Sequence, residues 1–359
     1  MAQHDCSEHM HNFLRELPKC EHHVHLEGTL EPDLLFPLAK RNNITLPEQF
    51  PKTVEELNDR YNRFADLQDF LDFYYIGANV LINEEDFFDL AWAYFQKAKR
   101  DGVVHAEVFF DPQTHTERNI HIDVVVAGFE RACVKAEKEL GLTTKLIMCL
   151  LRHLPSDHGL VTIDSAKKHM ENGTIHALGL DSAEKPFPPH LFQECYAKVK
   201  EINPAMNLTA HAGEEGGPDF VINSLDLLNV TRIDHGVNSI KDKNLLKRLA
   251  DNQTLLTVCP LSNVKLQVVK DVSELPLQEF IDAGVPFSLN SDDPAYFGGY
   301  ILDNYVTVHT RFGWSLETWC LVAKNSINGS WVTQERKDEV LKAIDEVFEK
   351  YSPLLQAQA

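Results

Sequence analysis

Eight short apolar runs, separated by segments long enough for a helix each, constrain this chain more than any other feature of its sequence. They are Cys20–Leu26, Val103–Phe110, Thr144–Leu151, Ile175–Asp181, Asn207–His211, Thr231–His235, Thr254–Cys259 and Val285–Asn290. Several are apolar on successive residues, as parallel strands covered on both faces must be. The segments between them carry helix signals. Glu84–Lys99 places Phe87, Leu90, Ala91 and Tyr94 on one face, and Gly102 stands where a helix-terminating glycine belongs. Eight β-helix units predict an α/β fold of the closed (β/α)8, TIM-barrel type. A doubly wound open sheet is the alternative, but it normally has fewer strands. A barrel also accommodates all 359 residues as one domain, 1–359. The first connection, from about residue 28 to 102, is too long for one helix. It reads as a helical insertion, either a lid over the barrel mouth or a plain structural addition.

Charge narrows the partners. With 34 Lys and Arg against 54 Asp and Glu, the net charge is −20. Such a surface repels phosphate backbones and anionic membranes, so neither nucleic acid nor a membrane is expected as a partner. The seven cysteines include no CxxC pair and are odd in number, which reads as reduced thiols. The start, MAQHDCSEHMHNF, lacks a basic-then-apolar leader. No apolar stretch approaches the length of a membrane span. A cytoplasmic location is expected, with the nucleus also open to it; nothing in the residues specifies an oligomeric state.

The chemistry sits at the carboxyl ends of the predicted strands. His23-Val24-His25 closes the first. Alternate strand residues point the same way, about 6.6 Å apart, so two imidazoles here can meet on one ion. A surface pair is the other reading, but Val24 and Leu26 make poor flanks for idle polar groups. His211 ends the fifth strand, and the small, glycine-rich turn after it holds Glu214. His235 ends the sixth. Asp292 and Asp293 follow the eighth, where by themselves they would read as a turn or a helix cap. Together, His23, His25, His211, His235 and Asp292 gather on the face where barrel active sites are built. Imidazoles with one carboxylate suit zinc and exclude an oxygen-only calcium or magnesium cage. The fourth strand has no lysine to bridge a second metal, so one ion is expected. His105, His115, His153 and His176 lack such support and read as structural or loop residues.

In this order, HVHLEGT, THAGEE, RIDHG, CPLSN and NSDDP resemble the adenosine, adenine and AMP deaminases, from about Lys19 to the final helices. The resemblance implies a barrel with one Zn2+ per chain. It makes His23, His25, His211 and Asp292 the zinc ligands and Glu214 the acid that protonates purine N1. It makes His235 the group that orients or deprotonates the zinc-bound water, and Asp293 the partner of N7. Cytidine-type zinc deaminases carry H-x-E with P-C-x-x-C, which is absent here.

Details point within the family. Adenosine-preferring members usually carry Asp two residues after the His pair, where it meets the ribose; Glu27 stands there in this chain. Its longer side chain would intrude on the sugar, although an acid bonded to nearby backbone is the alternative reading. The run Ser291–Tyr300 and the run Gly179–Glu184 also resemble the adenine-specific branch, notably its fungal members. Ser182 replaces a family glycine whose amide meets N3, which puts the local turn in question. The small-molecule partner implied is a purine base. The implied reaction is hydrolysis of adenine to hypoxanthine and ammonia, in purine salvage and nitrogen catabolism. Adenosine or an N6-substituted AMP is the runner-up substrate. A metal-dependent hydrolase of a different ring or of a phosphoester, marked by a second metal, and a non-catalytic metal-dependent binding protein are the rivals outside the class. In the insertion, Phe64, Leu67 and Phe70 could cover a flat base, although helix core is the simpler role.

Overall fold

The computed structural model describes residues 6–65 and 67–356. Eight parallel strands pair in sequence order: β1 Lys19–Glu21, β2 Val103–Phe110, β3 Thr143–Leu151, β4 Ile175–Asp181, β5 Asn207–Ala212, β6 Arg232–His235, β7 Leu255–Val258 and β8 Phe287–Leu289. Helices follow the strands and cover the sheet, as the both-sided apolar runs require. The interior of the barrel is a separate small cluster of Phe109, Ile147, Cys149 and Ala177, all fully buried. It is packed, not hollow, as expected of eight strands.

The expected strands are present, though several are shorter than the runs that mark them, the first and the eighth most of all. The first was expected over Cys20–Leu26, and its regular ladder stops at Glu21. Beyond it the chain stays extended and meets both neighbours through isolated bridges, Val24 with Asp292 and His25 with Phe109. The interruption has a cause: the amide of His22 donates to the Asn290 side chain, at 2.8 Å, instead of to a strand backbone. The eighth ends at Leu289, although the amide of Asn290 still donates to the Val258 carbonyl at 2.9 Å.

The insertion comprises four helices, Pro32–Arg41, Val54–Tyr61, Leu67–Ala78 and Glu84–Arg100. The last buries Phe87, Leu90, Ala91 and Tyr94, and Gly102 beyond it has φ +87°, the left-handed conformation that ends a helix. No described helix is long and apolar enough to cross a membrane.

Candidate active site

His23, His25, His211 and Asp292 meet at the carboxyl end of the barrel, each offering a ligand atom within 4.8 Å of the others. His23 Nε2 is 3.2 Å and His25 Nε2 3.5 Å from Asp292 Oδ1; His25 Nε2 and His211 Nε2 are 3.2 Å apart. The far ring nitrogens are engaged. His23 Nδ1 lies 2.8 Å from the Thr257 hydroxyl, which itself donates to Asp234 Oδ1 at 3.2 Å. The His23 ring therefore donates through Nδ1 and keeps a lone pair on Nε2, which has no other hydrogen-bond partner. His25 Nδ1 faces Asp181 Oδ2, and His211 Nδ1 faces Asp234 Oδ2, each at 3.4 Å. Carboxylates behind the rings orient them toward a common point. Lone pairs aimed at one another at hydrogen-bond distance repel unless a cation lies between them. The donor set, three imidazoles and a carboxylate, fits zinc.

Protonation agrees with this. Burial lowers His25 to about 4 and holds His211 below its ordinary value, which leaves both neutral, the form a metal ligand requires. Burial alone would raise Asp292, but His23, His235 and His25 hold it well below the usual carboxylate range. Cys259 lies beside a second grouping with His23, His235 and Asp292, but burial first and then the charge of Asp292 push its thiol well up.

Glu214 sits on the turn after β5. Its carboxyl is raised well above the ordinary value, by burial first and by the Asp292 charge second. Oε1 accepts from Asn263 at 3.2 Å, and Oε2 is 3.3 Å from His235 Nε2. The turn itself hangs on Glu184. One oxygen of Glu184 accepts from the amides of Glu214 and Glu215, at 2.7 and 3.3 Å. The other accepts from Gly213 and Gly216, at 3.0 and 3.1 Å. Asn238 completes the anchor by donating to the carbonyls of Glu214 and Gly216.

Three residues around the site take the left-handed backbone that favours glycine: Ser182 at φ +71°, His235 at +64° and Asp292 at +63°. Ser182 settles the question about its turn, because serine adopts the strained conformation and its hydroxyl bonds His153 Nδ1 at 2.8 Å. Asp293 lies next to the cradle, and Gly28 makes room for it; a Cβ on Gly28 would collide with the Asp293 carboxyl. Burial, then repulsion from Asp292, pushes Asp293 well above the carboxylate range.

These groups open into a cavity of about 470 Å³ including its mouth, lined also by Phe70, Leu71, Tyr74, Tyr75 and Asp111. Phe70 and Tyr74 come from the insertion, which thus roofs the site. Phe64 instead packs against Tyr61 and Phe70 as core, and the side chain of Leu67 lies outside the described residues. Glu27 is the departure from expectation. It does not line the cavity; its Oε1 accepts from His115 Nε2 at 2.8 Å and from the amide of Asp111 at 3.1 Å. This is the bonding of a buried acid to nearby backbone, and it reaches the site only through Asp111.

Sequence reasoning passed over Asp111, Asp181, Asp234, Thr257 and Glu184. Asp181, Glu184 and Asp234 stand inside the runs GLDSAE and RIDHG, so a signal was present, but a carboxylate beside a ligand carries no mark of which ring it will orient.

Comparison with known proteins comes out in the same place. Residues 18–347 match the family model described as adenosine deaminase. An adenine deaminase of Candida albicans is 68% identical over 98% of this chain and 99% of its own, and one of Saccharomyces cerevisiae is 67% identical over 95% and 98%. The crystal structure of an adenine deaminase from Arthrobacter aurescens is 40% identical, with a TM-score of 0.88, over 92% of this chain and 99% of that one. With its motifs in family order and its candidate ligand residues gathered at the barrel mouth, this chain belongs to the adenosine deaminase family.

Proposed function

We propose that this protein hydrolyses adenine to hypoxanthine and ammonia, with one zinc ion held by His23, His25, His211 and Asp292. The observation that carries the reading is the arrangement of three inward-facing imidazoles and one carboxylate beside Glu214, a carboxyl kept neutral by burial. The ion, when bound, lowers the pKa of a coordinated water from about 15.7 toward 7. The chain's own residues do the rest. Glu214 gives its proton to N1 of the ring, which makes C6 accept attack. His235, neutral and 3.3 Å from Glu214, takes a proton from the attacking water. The oxygen bonds to C6, the bond from C6 to the exocyclic nitrogen breaks, and the amine leaves as ammonia with the proton held by His235. The second water proton restores Glu214 as the C6 oxygen becomes a carbonyl. Asp293, neutral, donates to N7, and the Ser182 amide meets N3.

Adenine is favoured by the relatives that bear that activity in their names. No lysine or arginine is among the described residues lining the cavity, which suits a neutral base better than a phosphate ester. The chain acts as one catalytic domain, with residues 28–102 as its lid. Seven cysteines without a disulfide suit a reducing compartment, cytoplasm or nucleus. Side-by-side ammonia release from adenine, adenosine and AMP tests the substrate; equal or greater rates on adenosine defeat it. Glu214→Gln tests the chemistry: activity falls by about 10²–10⁴ while zinc content holds.

A further inference from the structure

Three carboxylate oxygens of the described cavity wall have no hydrogen-bond partner: Asp293 Oδ1, beside the candidate metal cradle, and one oxygen each of Asp111 and Asp181. Asp111, just past β2, gives Oδ2 to the Tyr74 hydroxyl at 3.1 Å, while its Oδ1 is buried and unbonded. Asp181, at the end of β4, turns Oδ2 toward His25 Nδ1 at 3.4 Å and lies against the Asp111 carboxyl, and its Oδ1 is buried with no donor from another side chain or the backbone. The two acids and His25 Nδ1 form one compact group, both acids line the cavity, and they are 3% and 2% exposed. Asp111 is also placed to cap the helix Pro112–Thr116, yet its side chain makes no capping bond. It is held in the wall instead, by Tyr74 on its side chain and by Glu27 on its amide. Buried acceptors left without a donor are costly, and a ligand that brings a donor relieves the cost.

A purine seated with C6 at the zinc cradle and N1 toward Glu214 turns its opposite edge, N3 and N9, away from the metal. In the free base N9 carries a hydrogen; in a nucleoside or nucleotide it carries the sugar. Accepting on the proposed adenine activity as its premise, we propose that the free oxygens of Asp111 and Asp181 accept the N9 hydrogen of the base. They are thus the specificity determinants that select a free purine over any N9-substituted one. Glu27 contributes by positioning Asp111 through its amide. A sugar at N9 removes the donor and strands both carboxylates, a discrimination stronger than steric crowding alone supplies.

The test compares kcat/KM for adenine and 9-methyladenine in wild type, Asp111→Ala and Asp111→Asn, with zinc content and melting temperature as controls. Binding of hypoxanthine and 9-methylhypoxanthine by calorimetry provides a readout independent of turnover. In Asp111→Ala, adenine is expected to lose about tenfold or more while 9-methyladenine does not, so the preference for the free base shrinks by that factor. The asparagine variant keeps the packing and an acceptor for Tyr74, and it shows a smaller change in the same direction. A preference within twofold of wild type in both folded variants overturns the assignment of Asp111 and Asp181 alone. A wild-type enzyme faster on adenosine than on adenine overturns the proposed activity and this assignment together.

Discussion

Asp292 and Val24 form the bridge that closes the barrel. The amide of Asp292 donates to the carbonyl of His23 at 2.9 Å, and its carbonyl accepts from the amide of His25 at 3.0 Å. The residues flanking Val24 and the residue opposite it are three of the four candidate zinc ligands. Closing the sheet and assembling the cradle are therefore one event, and the left-handed backbone of Asp292 is retained where both depend on it.

Asp234 touches the proposed zinc site through other side chains, since it faces His211 Nδ1 and accepts from the hydroxyls of Thr209 and Thr257. Asp234→Asn is expected to weaken zinc binding by about 10–100-fold, measured by competition with a chelating indicator. An unchanged zinc affinity would mean that the ring orientation does not depend on this acid.

Glu184 holds four amides of the turn that carries Glu214. In Glu184→Gln one oxygen becomes a donor, and about half of these bonds are lost. Because proton transfer tolerates little displacement, kcat is expected to fall by about 10²-fold with KM nearly constant and zinc retained. Glu184→Asp, which keeps the charge, recovers part of the loss. Steady-state kinetics of the pair decides it; equal changes in kcat and KM for both variants would remove Glu184 from this role.

Asp293 is expected to donate to N7, which as a lone pair cannot accept a bond from a carboxylate anion. Asp293→Asn keeps a donor and Asp293→Ala has none. The asparagine variant should therefore be the more active, with the alanine variant at least about tenfold below it, in line with a lost bond of ~1.5 kcal/mol. Comparable kcat/KM values in the two variants would show that N7 is not contacted there.

Glu107 provides a prediction about stability. It lies buried at the other end of the barrel, 2.5 Å from Arg232 and 2.9 Å from His105 Nε2. Burial works against its charge, but Arg232, followed by His105, holds its carboxyl far below the ordinary 4.5. A depressed folded value stabilises the protein above the unfolded pKa and loses that contribution as pH falls below about 4.5. Glu107→Gln strands the buried arginine, at a cost of about 3–5 kcal/mol near neutrality, and flattens the acid limb of the stability curve. Urea denaturation at a series of pH values measures both. A variant as stable as wild type at pH 7, with the same acid limb, would refute the ion pair's contribution.

Much of this protein follows from residue order. The stretch Leu146–Leu151 in the third run is apolar on both faces, as a covered parallel strand is, and eight strand-like runs parted by helix-length segments leave little besides a barrel. The candidate ligands stand out in the sequence for the same reason: a histidine after an apolar run has few structural excuses. Folding alone decided what those residues face. Glu27 reads as a substrate contact from its place in HVHLEGT, but tertiary packing turns it to His115 and the amide of Asp111. Asp181 and Asp234 look alike in the sequence, yet one stands behind His25 and also lines the cavity, while the other braces His211 and, through Thr257, His23 without lining it. The strand period states which side of a sheet a residue takes; it does not state its neighbours across the barrel, because strand stagger and closure set those distances.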